Sequence, residues 1–182
     1  MNKNLYVAIV SFGEQSSQHI AHMLNSINVK YDIVPHDSEG DSEKYQNYTH
    51  VILSGGPKHV YQSDAYVMSP WIIKSTIPVL GICYGMQIIA HTLGGTVTRM
   101  NELEKGPILV SEIINNKRVH THRWMNRYDR VITIPQHFTT TGITDRGHVA
   151  AMTDNYKYWC VQYHPESDNY TDVSLFVRFL KR

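Results

Sequence analysis

Cysteine is scarce in this chain, and the two present, Cys83 and Cys160, sit in contexts too different to suggest a disulfide. Charge of one sign is lacking too. Seventeen Lys and Arg stand against sixteen Asp and Glu, and no segment concentrates the basic residues. That excludes a surface built for nucleic acid or an anionic membrane. The longest apolar runs are of strand length, so none approaches the ~20 residues needed to span a bilayer as a helix. The start, Met1-Asn2-Lys3-Asn4-Leu5, lacks the apolar stretch and cleavage site of a signal peptide. Neither Gly-x-Gly-x-x-Gly nor Gly-Lys-Ser/Thr occurs, so the two familiar phosphate loops are absent. Repeats, linkers and low-complexity tracts are absent as well. The expectation is a cytoplasmic protein with a single domain over residues 1–182, long enough to bury roughly 70% of its unfolded surface without staples.

Short apolar runs at Leu5–Val10, Tyr31–Val34, His50–Ser54 and Pro78–Ile82 read as buried strands. Helices are expected between them: Gln18–Asn28, capped by Ser16 or Ser17, then Pro70–Ser75, and one from Cys83 to about Leu93, stopped by Gly94-Gly95. The acidic, Ser-rich stretch from Asp37 to Lys44 reads as a solvated loop. Strands that alternate with helices and are apolar nearly throughout predict a parallel sheet covered on both faces. After Gly95 the rhythm changes to short strand candidates: Thr96–Arg99, Ile108–Ile114, Arg118–His122, Val131–Ile134, Val149–Met152 and Tyr158–Tyr163, with a turn at Asn115-Asn116. A last helix is expected over Asp172–Leu180. The fold class is α/β: a central, mostly parallel sheet flanked by helices, with an antiparallel extension.

Gly81-Ile82-Cys83-Tyr84-Gly85 follows one of the buried strands and opens a helix. This is the Gly-x-nucleophile-x-Gly elbow, with cysteine at its tip. The elbow predicts a Cys83 exposed above the sheet, where the helix N-terminus favours a thiolate. Free cysteines are more often structural, and Cys160, in an apolar strand, is expected to be one. His164-Pro165-Glu166 follows the last strand. Residues two apart in an extended chain share a side, so Glu166 can reach the far ring nitrogen of His164. That is the orienting relation a base needs beside a nucleophile. At Ser54-Gly55-Gly56-Pro57 two residues lack Cβ, so this turn can bring an N–H to an oxyanion alongside that of Tyr84.

Gly81-Ile-Cys-Tyr-Gly-Met-Gln87, the Gly-Gly-Pro turn and the late His-Pro-Glu, in this order, resemble class I glutamine amidotransferases from Tyr6 to the C-terminus. The resemblance implies their flavodoxin-like fold, a catalytic Cys83, His164 and Glu166, and oxyanion N–H groups on Gly56 and Tyr84. It also implies that Gly55 and Gln87 help line the glutamine site. Within the family, Phe12-Gly13-x-Gln15, Val60-Tyr61, Glu104-x-Gly106 and Trp124-Met125 resemble the glutaminase part of GMP synthase. Where that group has Ser-His-Gly-Asp, this chain has Asn126-Arg127-Tyr128-Asp129. Ser167-Asp168-Asn169-Tyr170 replaces its Val-x-His-Thr.

By this resemblance the chain needs no metal or organic cofactor of its own. A separate ATP-pyrophosphatase-type synthetase subunit would hold ATP, Mg and XMP, and Arg127 would face it and pair with a partner carboxylate. Anthranilate or aminodeoxychorismate synthesis is an alternative destination for the ammonia, and a catalytically silent regulatory module is an alternative of another class. His120-x-His122 is too small a ligand set for zinc and reads as a strand face. Tyr156, Tyr158 and Trp159 lack the interleaved basic residues of a base-stacking surface.

Overall fold

The computed structural model describes residues 5–13, 15–38 and 43–182. Its nine strands form one sheet in the order β2-β1-β3-β4-β9-β8-β7-β5-β6. The first five positions are β2 (Lys30–Pro35), β1 (Tyr6–Ser11), β3 (His50–Leu53), β4 (Val79–Ile82) and β9 (Tyr158–Val161), each parallel to the next. Beyond β9 the sheet turns antiparallel through β8 (Val149–Thr153), β7 (Thr139–Thr144), β5 (Thr96–Ile114) and β6 (Lys117–Thr133). The predicted architecture is therefore present, antiparallel extension included.

Alternation along the central strands explains why helices cover both faces. Val7, Ile9, Ile52, Leu80 and Ile82 face α1 (Ser16–Ser26) and α4 (Val173–Phe179), meeting Ile20, Leu24, Phe176 and Phe179. Ala8, Val10, Val51, Leu53 and Val79 pack on the other side with α2 (Pro70–Lys74) and α3 (Tyr84–Thr92), through Trp71, Ile72, Met86 and Ile89. None of the helices among the described residues is long and apolar enough to cross a membrane.

Two expectations need correction. Four of the short strand candidates after Gly95 belong to two long strands, β5 and β6, joined as a hairpin at Asn115-Asn116. Both asparagines have positive φ, 50° and 60°, as a two-residue hairpin turn of matching twist requires. The pairing shifts register between Arg99 and Glu104, so period-two alternation breaks there and hides the continuity. β7 was not expected, because Thr139–Thr144 contains a single large apolar residue, Ile143. Part of the loop predicted from Asp37 to Lys44, and the first four residues read for a signal peptide, lie outside the described residues; Glu43–Asn47 forms a 3-10 turn.

Candidate active site

Four loops leave the carboxyl ends of the parallel strands on one side of the sheet, the side where such folds bind ligands. From β1 comes the lead into α1, from β3 Ser54-Gly55-Gly56, from β4 Cys83, and from β9 the His164-Pro165-Glu166 segment.

Cys83 sits between β4 and α3 with φ 51° and ψ −104°, a strained conformation for a residue with a side chain. The flanking glycines are sterically required. A Cβ on Gly81 would stand 2.6 Å from the Gly85 carbonyl oxygen, and one on Gly85 would run into the Leu53 carbonyl oxygen. Gly85→Ala should therefore cost about 1–3 kcal/mol or more of stability, as overpacking against backbone does. A thermal melt checks this, and an unchanged Tm would contradict it. The expectation that Cys83 stands exposed is corrected: only 7% of its surface is accessible. β6 folds over it, and its Sγ lies 3.8 Å from the Asn126 carbonyl. Cys160 is buried in β9, where loss of solvent pushes its thiol pKa well up, as expected of a structural cysteine. Both thiols are free.

The Nδ1 atom of His164 lies 2.9 Å from Glu166 Oε1, so the two-residue spacing does bring imidazole and carboxylate together. The His164 N–H donates to the Trp124 carbonyl at 2.9 Å, tying the segment to β6. Burial alone would lower the His164 pKa. The facing charges of Cys83 and then Glu166, with their hydrogen bonds, outweigh it and hold the value well above the ordinary one. Because the folded-state value is raised, the imidazolium's contribution to stability is complete below the unfolded value of about 6.5 and is lost as pH rises through the folded one. Cys83→Ala removes the stronger raising charge, so His164 should titrate at lower pH in that variant. NMR of the ring protons checks this, and an unmoved titration would contradict it. Nε2 of His164 is buried without a hydrogen-bond partner of ordinary geometry among the described residues, which leaves it for proton exchange.

Gly56 packs where a Cβ would meet Phe12 Cβ at 2.8 Å, and a Cβ on Gly55 would meet His164 Cε1 at 3.2 Å. The Ser54 hydroxyl donates to the Gly55 carbonyl at 2.9 Å, fixing the peptide that carries the Gly56 N–H. Gln87 lies buried one turn into α3. Its amide nitrogen donates to the Asp129 carbonyl and to Gln162 Oε1 at 3.4 and 3.2 Å. Beside His164 and Glu166 lies a cavity of about 480 Å³ lined also by Gln15, Ser16, Trp124 and Asn126.

The chain has known relatives. Residues 8–181 match the family described as glutamine amidotransferase class-I. The chain belongs to that family. Among curated relatives, the GMP synthase [glutamine-hydrolyzing] of Thermomicrobium roseum is 35% identical over 165 residues, covering 88% of this chain and 31% of the relative. That of Thermotoga petrophila is 37% identical over 168 residues, covering 88% and 32%. The chain thus spans about a third of the length of the curated relatives it matches. Among solved structures, a putative GMP synthase subunit from Thermoplasma acidophilum has a TM-score of 0.84 at 24% identity, covering all of this chain and 94% of the other. A glutamine amidotransferase from Thermotoga maritima follows at 0.77 and 21%, covering 100% of this chain and 92% of that one.

One expectation for this amidotransferase is overturned. Arg127 does not face a partner; it is 3% exposed, and its Nε and Nη2 lie 2.7 and 2.6 Å from Glu104 Oε2. The carboxylate expected from another protein is supplied by the facing strand of the same hairpin, where Glu104 and Arg127 are in register. Asp129 is likewise buried and accepts from Tyr61 Oη at 3.0 Å, with His59 Nδ1 at 2.6 Å. It thereby ties the Gly-Gly-Pro loop to β6. Of the second departure, Ser167 borders the cavity and Tyr170 stacks on Trp124 at 5.6 Å between ring centres.

Trp124 and Asn126, which the sequence singled out only by resemblance, do line the cavity, whereas a buried network behind the histidine segment was missed. There Arg123 bonds Glu112 and Asp172 at 2.8 and 2.6 Å, and the Tyr163 hydroxyl donates to Glu112. Of these, only Asp172 left a local trace, as the first residue of the expected last helix; it is instead the cap of α4, accepting from the Leu175 N–H. His120 and His122 lie on β6 opposite Ser111 and Leu109. Among the described residues no cluster of three His, Cys, Asp or Glu is arranged to hold a metal.

Proposed function

We propose that this chain hydrolyses glutamine at Cys83 and delivers the ammonia to a synthetase that converts XMP to GMP. The observation that carries the chemistry is the strained Cys83 elbow beside the hydrogen-bonded His164–Glu166 pair. The GMP synthases among the relatives favour the acceptor. His164 takes the Cys83 proton, and the sulfur attacks the side-chain amide carbon of glutamine. The amide oxygen becomes an oxyanion held by the N–H groups of Gly56 and Tyr84. His164 returns the proton to nitrogen as the C–N bond breaks and ammonia leaves. Water, deprotonated by His164, then attacks the γ-glutamyl thioester, releasing glutamate and regenerating the thiol. Glu166 keeps the imidazole in the productive tautomer and supports its charge. Gly55 and Gln87 line the glutamine site, and no step requires a metal or organic cofactor in this chain.

The finer reading is that the synthetase is a separate subunit, carrying ATP and Mg, and that its loading with XMP raises glutamine hydrolysis here. An oxyanion donor brought into place is worth about 10²–10³ in rate. The test uses glutamine labelled with ¹⁵N at the amide, with the synthetase, XMP and ATP supplied. GMP carrying ¹⁵N, with glutamate release rising about 10²-fold over the unassisted chain, is the expected result. Glutamate release without label in GMP would refute the acceptor, and a full rate without the synthetase would refute the switch.

A further inference from the structure

We infer that Ser16 is a positioning residue that joins the triad's carboxylate to the oxyanion strand end through one hydroxyl. The inference deepens the proposed reaction and rests on it. Sequence reading offered Ser16 as a helix cap, but it is the first residue of α1. The capping position belongs to Gln15, which makes no side-chain cap. The Ser16 hydroxyl is engaged elsewhere. It donates to Glu166 Oε1 at 2.6 Å and accepts the Gly55 N–H at 3.2 Å. Its residue is 6% exposed, so water competes poorly for either bond.

The bond to Glu166 is short and charge-assisted, among the stronger kinds available to a hydroxyl. It falls on the oxygen that His164 Nδ1 also contacts, at 2.9 Å. Oε2 of Glu166 is buried with no partner among the described residues. The carboxylate is therefore held through Oε1 alone, by His164 on one side and Ser16 on the other. Without Ser16 the carboxylate keeps a single hydrogen bond, the one to His164, to hold its orientation. On its accepting side, Ser16 pins the N–H of Gly55. One peptide further on is the Gly56 N–H, whose peptide is held at its carbonyl by Ser54. A Cβ on Gly55 would stand 3.3 Å from Ser16 Oγ and 3.2 Å from His164 Cε1, so the three residues are in close contact. Three loops from three strands thus meet at a single hydroxyl, and base and oxyanion donor keep a fixed relation through it.

Ser16→Ala should lower kcat for glutamine hydrolysis about ten- to hundredfold, the range expected for a hydrogen bond to a charged group. KM should stay within about threefold, because the hydroxyl is already engaged by Glu166 and the Gly55 N–H. Ser16→Thr, which keeps the hydroxyl, should restore most of the rate. In a Glu166→Gln background the same alanine substitution should cost less than about threefold, since its charged acceptor is gone. A readout independent of turnover is the His164 titration by NMR. It should move up in Ser16→Ala, because a carboxylate with one donor fewer concentrates its charge on the ring. A kcat within twofold of wild type, an equal loss in the Glu166→Gln background, or an unmoved titration would each overturn the inference. A wild-type chain that hydrolyses no glutamine, even with a loaded synthetase, would refute the proposed reaction instead, and the titration would still judge Ser16.

Discussion

Alanine in place of Cys83 is expected to reduce glutamine hydrolysis by at least about 10⁴-fold, while the same change at Cys160 leaves it within a factor of two. The first loss follows from covalent catalysis: with no sulfur to attack the amide, the elbow, the histidine pair and the oxyanion donors have nothing to assist. The fold should survive, because alanine removes only a small side chain from a position whose strain lies in the backbone. The contrast with Cys160 is physical. That thiol is buried in β9, its pKa pushed up by burial, and it stands in register with Met152 of β8 and Gly81 of β4, on a regular strand and not at an elbow. Steady-state rates of the two variants, with far-ultraviolet circular dichroism to verify folding, check the pair of claims. Equal loss at both positions would mean that Cys83 is not the nucleophile.

His164→Ala is expected to be nearly as damaging as Cys83→Ala, and combining them should add little. Base and nucleophile act as one unit, so removing either forfeits the whole advantage. Glu166→Gln should leave about 10² times more activity than His164→Ala, since the carboxylate orients and stabilises without transferring a proton. It will still be costly. A glutamine there can offer its oxygen to Nδ1 and to Ser16, but its NH₂ group then falls where Oε2 is now buried without a partner. The three single variants and the double, assayed together, decide the matter. Equal losses at Glu166 and His164 would show that the carboxylate does more than orient.

How much was legible beforehand depended on whether the signal was local. The elbow was, because two glycines around one cysteine after a buried strand leave few other structures open, and clashes near Leu53 and Gly85 explain both glycines. His164-Pro165-Glu166 was legible for the same reason: its geometry needs only an extended backbone. The turn of the β5–β6 hairpin was legible at Asn115-Asn116, but the length of its two strands was not, because the register shift near Arg99 interrupts the alternation that would mark a continuous strand. That gap carried a second error with it. A lone arginine in a strand reads as a surface residue, and only the register that places Glu104 opposite reveals a buried pair. Ser16 shows the same limit. A serine before a helix is sensibly read as a cap, and nothing nearby in sequence tells it that its acceptor lies 150 residues on.

The central claim, that Cys83 is the nucleophile that opens the glutamine side-chain amide, is tested most directly by trapping. The chain would be incubated with a glutamine analogue bearing a chloroketone or diazoketone in place of the amide, and the adduct mapped by peptide mass spectrometry. The account predicts one adduct per chain, on Cys83, slowed by added glutamine and absent from Cys83→Ala. Label on Cys160, or label on Cys83 that glutamine does not compete away, would contradict it.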